Sequence, residues 1–189
     1  QGRERRRTAG RGPERIFTVL AQGLEGRGRK GAGVLDVCAG TGALGLEALS
    51  RGAAFATFVE SNRGAARVLN ENIQTLGEAA NCKVLERQAS AIGATGEPVD
   101  YAFLDAPYHQ GLSEPALQSL AAQGWLNGGG VVMVEVASDE ELTPPPGFRF
   151  VKEKHYRAAR AVFLVFAASV RFYSPLFSYP FITYFVYAV

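Results

Sequence analysis

The sequence predicts an α/β fold built on a doubly wound, mostly parallel sheet that closes in a C-terminal antiparallel hairpin. Three observations predict it. Short apolar runs alternate with helix-length stretches, a glycine-rich turn joins the first run to the first helix, and the last two runs have no helix between them. At 189 residues, 47% of them hydrophobic, the chain is long and apolar enough for one sizeable core.

Residues 34–38, VLDVC, are the first strand, and residues 44–49 open a helix after the glycine turn. Residues 55–60 are the second strand. Across residues 62–76, Ala66, Leu69, Ile73 and Leu76 recur at helical spacing and form one apolar face. Residues 82–86 and 101–105 are the third and fourth strands, 112–123 a helix and 131–136 the fifth strand. Trp125, near that helix end, is read as core or rim. The TPPPG stretch at 143–147 is a stiff connector into the final strands, 148–155 and 161–166. Ligands of such sheets bind beyond the C-terminal strand ends, so the informative residues follow each strand.

Charge divides the chain. Residues 1–30 hold nine Lys/Arg against three Glu, a balance of +6, which leaves −4 for the remainder of a chain of net charge +2. The chain is therefore read as a basic N-terminal arm with a first helix over 1–30, a main domain over 31–168 and an apolar tail over 169–189. The arm suits contact with phosphates, or it is a solvated terminus. Two cysteines, Cys38 and Cys82, are too few for a disulfide framework and point to a reducing, cytoplasmic setting. His109 and His155 lie 46 positions apart with no ligand-spaced partners, so no metal is expected. Residues 170–189 carry one charge, Arg171, and eight aromatics, and residues 172–189 are an uncharged run of membrane-span length. Pro175 and Pro180 break a helix there, so the segment is read first as an extension without a functional part, next as a cover packed on the domain, and last as a membrane insertion.

The stretch DVCAGTGALG, residues 36–45, matches G-x-G-x-x-G through Gly40, Gly42 and Gly45. Glycines let the backbone turn tightly and approach a ligand, while the following helix aims free N–H groups at the same place. That pattern alone leaves a dinucleotide open. Asp36 breaks the tie, because a carboxylate there would repel a pyrophosphate but neutralise a cation. S-adenosylmethionine carries a sulfonium and an α-amino group and no phosphate. Glu60, ending the second strand, can accept from ribose hydroxyls, a role that NAD enzymes give the same position.

The fourth strand ends in FLDAPY. The exocyclic amino group of a base is a poor nucleophile, since its lone pair is delocalised into the ring. Asp105 and the carbonyl of Ala106 can accept its two hydrogens, Pro107 restricts Ala106 and so aims that carbonyl, and Tyr108 offers a flat face for stacking. Together they describe a site for an amino group on a planar ring.

These motifs, VLDVCAGTGALGLEALSRGA, FVESN and YAFLDAPYHQGL, resemble the bacterial 16S ribosomal RNA guanine-N2 methyltransferases of the RsmD type, within the Rossmann-like class I S-adenosylmethionine-dependent fold. The resemblance covers roughly residues 6–166. At the strand end that family carries Asp or Asn, Pro, Pro, Tyr, and this chain has Ala106 for the first Pro. In the arm, Arg6, Thr8, Arg11, Glu14 and Phe17 fall on family positions, while Gly10 and Pro13 depart from them. The resemblance implies cofactor contacts from Asp36, Ala39, Gly40, Thr41, Gly42, Glu60, Ser61 and Asp105, with the adenine met by Ser90 or the backbone of Ala91. It implies a target site of Asp105, Ala106, Pro107 and Tyr108, RNA contacts from Arg6, Arg11 and Arg15, and no metal. The expected activity is methylation of a guanine N2 in 16S rRNA or the small ribosomal subunit by a monomeric enzyme. The alternatives are another amino group (adenine N6 or a protein amide), an NAD-dependent oxidoreductase, or an inactive RNA-binding module.

Overall fold

The apolar runs become the strands of a single sheet. The structure, a computed structural model, describes residues 31–156 and 158–167; the predicted arm and the apolar tail lie outside these residues. The strands are β1 (Gly33–Val37), β2 (Phe55–Val59), β3 (Cys82–Leu85), β4 (Val99–Asp105), β5 (Leu126–Ala137), β6 (Phe148–Tyr156) and β7 (Ala159–Phe166). Three α-helices accompany them among the described residues, α1 (Ala43–Ser50), α2 (Arg63–Leu76) and α3 (Ser113–Ala122). The strand order is β3-β2-β1-β4-β5-β7-β6. Neighbours from β3 through β5 run parallel, and β7 pairs antiparallel with both β5 and β6. The predicted mostly parallel sheet with a closing hairpin is therefore present. Because the chain leaves β1 toward β2 and returns on the other side as β4, the crevice of the sheet opens at the C-terminal ends of β1 and β4.

Side-chain alternation divides the core. Leu35 and Val37 of β1, Leu104 of β4 and Val132 and Val134 of β5 pack under Ala116, Leu117 and Leu120 of α3. On the opposite face, Val34, Phe103, Val131 and Met133 meet Leu44 and Ala48 of α1. Phe58 of β2 is covered there by Leu69 and Ile73 of α2. Asp36 shares this second face, and so do Asp105 and Glu135, because Asp36 is in register with Phe103 and Asp105 with Glu135. Parallel partners project to the same side.

The start of the fifth strand and the burial of one helix position depart from the expectation. β5 starts at Leu126 and not at 131: Val99 pairs with Leu126 and Tyr101 with Val131, so the register slips and the glycine-rich stretch 127–130 is taken up within the strand. Leu76, expected on the apolar face of α2, is 60% exposed. It falls in the last turn, where Gly77 takes φ 74° and ends the helix. Trp125 occupies the core position expected of it, 4% exposed, with its Nε1–H donating to the Gly93 carbonyl at 2.7 Å.

Helix α1 lies close on the sheet because of Gly45. A Cβ there would sit 2.3 Å from Cε1 of Phe58, a ring that is fully buried and has nowhere to go. Gly45→Ala is expected to cost about 1–3 kcal/mol, the usual penalty for overpacking. The expected readout is a lower urea midpoint at unchanged slope. Unaltered stability would show that α1 can ride up on the sheet at no cost.

Candidate active site

The turn between β1 and α1 needs left-handed backbone. Cys38 has φ 59°, Gly40 φ 57° and Gly42 φ 83°, and Gly42 caps α1. The turn is tied down from three sides. The Gly42 N–H donates to the Ala39 carbonyl at 2.8 Å, the Ala39 N–H reaches the Val59 carbonyl at 3.0 Å, and Asn72 of α2 donates its Nδ2–H to the Thr41 carbonyl at 2.9 Å. No atom lies within 4 Å of where a Gly40 Cβ would stand, so that side of the turn is open.

Glu60, immediately after β2, is a brace as well as a lining residue. Its Oε2 accepts the Gly40 N–H at 2.8 Å and its Oε1 accepts the Asn62 N–H at 2.7 Å. Both oxygens thus serve the backbone, each with a second lone pair for a ligand. Asn62 in turn caps α2, its Oδ1 accepting the Ala65 N–H at 3.0 Å.

Asp36 differs from the expectation. A carboxylate facing a bound cation should be reachable from the cleft, yet Asp36 is 1% exposed and its Oδ2 accepts the Gly45 N–H at 2.8 Å. Strand alternation turns it onto the α1 face, where the first turn of the helix covers it. Burial pushes its carboxyl up to about 8, the Gly45 N–H opposes this, and the charges of Asp105 and Glu60 add to it. Asp36 therefore pins α1 beneath the turn through the Gly45 N–H. The Cys38 thiol, half-buried above it, is pushed up to about 11 by burial and then by Glu60, Asp105 and Asp36, which keeps it neutral at physiological pH.

One cleft of about 750 Å³ opens at these strand ends. That is the size of an ordinary small-molecule site. On one side it is lined by Gly40, Glu60 and Ser61, with Gln88, Ala89 and Ser90 as a wall. The opposite side is Asp105, Ala106, Pro107 and Tyr108, together with Glu135. Of the two readings for the third strand's loop, Ser90 lines the cleft, whereas the Ala91 N–H donates to the Gln88 carbonyl at 3.0 Å. Ala39, Thr41 and Gly42 shape the turn without lining this cleft. Arg6, Arg11 and Arg15 lie outside the described residues.

At the end of β4, Asp105 is exposed, whereas Ala106 is 4% exposed and packs into the core, a place its small methyl fills. The Tyr108 hydroxyl donates to Glu135 Oε1 at 2.5 Å. His109, φ 58°, sits at the rim with Nε2 3.5 Å from Asp139 Oδ1, and His155 lies beside Glu153 at 2.9 Å. Glu135 is the functional candidate that sequence reasoning missed. Its signal was a lone carboxylate inside the apolar run VVMVEVA, the predicted fifth strand.

A sheet of this order, with its one antiparallel strand inserted between the fifth and the sixth, is the class I methyltransferase fold, and the cleft opens where that fold holds its ligands. The solved structure of a Haemophilus influenzae protein, described provisionally as a methylase, superposes with a TM-score of 0.72 at 30% identity, over 82% of this chain and 98% of that one. A SAM-dependent methyltransferase of Aquifex aeolicus shares the fold at a TM-score of 0.63 and 20% identity, over 82% of this chain and 90% of its own. The family model named conserved hypothetical protein 95 matches residues 1–165, and the chain belongs to that family. The ribosomal RNA small subunit methyltransferase D of Escherichia coli K12 is 39% identical over 122 residues, 64% of this chain and 61% of the relative. The methyltransferase of the same name in Haemophilus influenzae is 36% identical over 130 residues, 64% of either chain. The chain thus spans under two thirds of the length of these curated relatives.

Proposed function

We propose that the protein is an S-adenosylmethionine-dependent RNA methyltransferase acting on the exocyclic N2 amino group of a guanine in 16S ribosomal RNA. One observation carries this reading: the Asp105 to Tyr108 motif ends the strand beside β1, so the amino-group site and the glycine turn share one cleft. The names of the curated relatives supply the substrate class.

The residues present fit the cofactor. The open face at Gly40 admits close approach of a ligand, and Glu60, Ser61 and Ser90 line the same side with acceptors for hydroxyl and amino groups. When bound, S-adenosylmethionine supplies an electrophilic methyl group. The chain's own part is positioning and desolvation. Asp105 and the Ala106 carbonyl accept the two amino hydrogens and aim the nitrogen lone pair into the cleft. Asp105 is also the group placed to take the proton that the nitrogen must lose. Pro107 restricts Ala106, and the Tyr108 ring, held by its hydroxyl on Glu135, is the stacking face. Arg6, Arg11 and Arg15 belong to the same proposal as phosphate contacts of the arm.

A monomeric, cytoplasmic enzyme completes the reading. The two free thiols, Cys38 and Cys82, accord with a reducing compartment. Among the described residues no helix is long and apolar enough to cross a membrane.

The test is incubation with labelled methyl donor and unmodified small ribosomal subunits, followed by nucleoside analysis. Label in N2-methylguanosine is expected. Label in N6-methyladenosine or in ribosomal protein would move the substrate to another amino group, and cofactor binding without any transfer would sink the reading. Tyr108→Ala should weaken kcat/KM by about 1–3 kcal/mol, the worth of a stacked base. Tyr108→Phe, which keeps the ring, should cost clearly less. An equal loss in both variants would assign the effect to the hydroxyl and its bond to Glu135.

A further inference from the structure

Glu135 enters neither the glycine turn nor the strand-end motif, yet it lines the target side of the cleft. It is the direct cross-strand partner of Asp105 on the adjacent parallel strand, so the two carboxylates leave the same face of the sheet side by side. Its Oε1 accepts the Tyr108 hydroxyl, while its Oε2 accepts no hydrogen bond among the described residues. The site thus offers two adjacent sets of acceptors beside one aromatic face, with the second set fixed to the ring by that hydroxyl.

The purines differ in what they can give such a pair. Guanine presents its N2 amino group next to a ring N1–H, two donors in a row. Adenine, and likewise 2-aminopurine, presents an amino group next to a ring nitrogen that carries a lone pair. A carboxylate facing the N1–H gains a charge-assisted hydrogen bond, whereas one facing a lone pair is desolvated and repelled. We propose that Glu135 is a specificity-determining residue: with Asp105 on the amino group, Glu135 takes the neighbouring N1–H and so selects guanine. This rests on the base-methylation reading above and goes beyond it, since the Asp105 to Tyr108 motif by itself accommodates any exocyclic amino group.

The experiment uses small subunits reconstituted with RNA bearing either guanine or 2-aminopurine at the nucleotide that becomes methylated. 2-Aminopurine keeps the 2-amino group and loses the N1–H. The wild-type protein is expected to prefer guanine by about 10- to 100-fold in kcat/KM, the range for a hydrogen bond to a charged group. Glu135→Gln, whose amide can donate to the ring nitrogen, is expected to narrow that ratio to within about threefold. Tyr108→Phe, which leaves the carboxylate in place, is expected to keep the preference even where its rate falls. A Glu135→Gln variant that loses rate on both substrates alike overturns the inference, because a merely structural support for Tyr108 would do that. Equal use of the two substrates by the wild-type protein overturns it whether or not the variant folds. Wild-type protein that leaves the guanine unmethylated overturns the proposed function along with it, whereas methylated guanine with an unchanged ratio overturns the role of Glu135 alone.

Discussion

Asp105→Ala is expected to lower the rate of methyl transfer by at least about 100-fold while leaving cofactor affinity within about threefold of the wild-type value, the pattern of a group that acts on the reacting atoms and not on ground-state binding. The separation follows from the geometry. The proposed cofactor side of the cleft is built by the turn after β1, by Glu60 after β2 and by the loop after β3, whereas Asp105 ends β4 on the proposed target side. In the proposed role, removing its carboxylate takes away one acceptor for the amino group and the acceptor for the departing proton, and leaves the hydrogen bond from Gly40 to Glu60 intact. Single-turnover rates and calorimetric titration with the cofactor measure the two quantities independently. Parallel loss of rate and binding would make Asp105 a cofactor ligand and return the target site to other residues.

The second large effect belongs to Asp36. Its folded-state pKa of about 8 lies above the ordinary 3.8, so over that window the folded chain keeps a proton that the unfolded chain has released. Stability drawn from this carboxyl is therefore complete below about pH 4 and is lost progressively as pH rises toward about 8. Asp36→Asn retains an acceptor for the Gly45 N–H and does not titrate. Its stability relative to the wild-type protein should thus climb through the window and level off above it, by on the order of a few kcal/mol. Urea unfolding at about pH 5, about pH 7 and about pH 9 reads the slope directly. A difference between variant and wild type that does not change with pH would mean that Asp36 is charged throughout and compensated by a partner.

Local patterns carried most of the fold, because strand and helix periods and the glycine turn are properties of neighbouring residues. The proposed amino-group motif was readable for the same reason: Asp105, Ala106, Pro107 and Tyr108 are contiguous. What escaped depends on relations between distant segments. Glu135 becomes a site residue only through its register with Asp105, some thirty positions upstream, and nothing in VVMVEVA states that register. Asp36 could be placed at the glycine turn but not above or below it, since that depends on which face α1 covers. The early start of β5 at Leu126 follows from a slip in pairing with β4 that allows a glycine-rich stretch into a strand.

Glu60 hangs two loops from one side chain. The glycine turn hangs on its Oε2 through Gly40, and the start of α2 hangs on its Oε1 through Asn62, the residue that also caps that helix. Neither loop can swing outward without either breaking its bond or dragging the carboxylate, and with it the other loop. The two loops on this side of the cleft mouth are thus mechanically geared. Ligand exchange that needs either loop to open will open both together, and the Gly40 and Asn62 amides will exchange their hydrogens with solvent as one cooperative unit, with a single shared opening free energy.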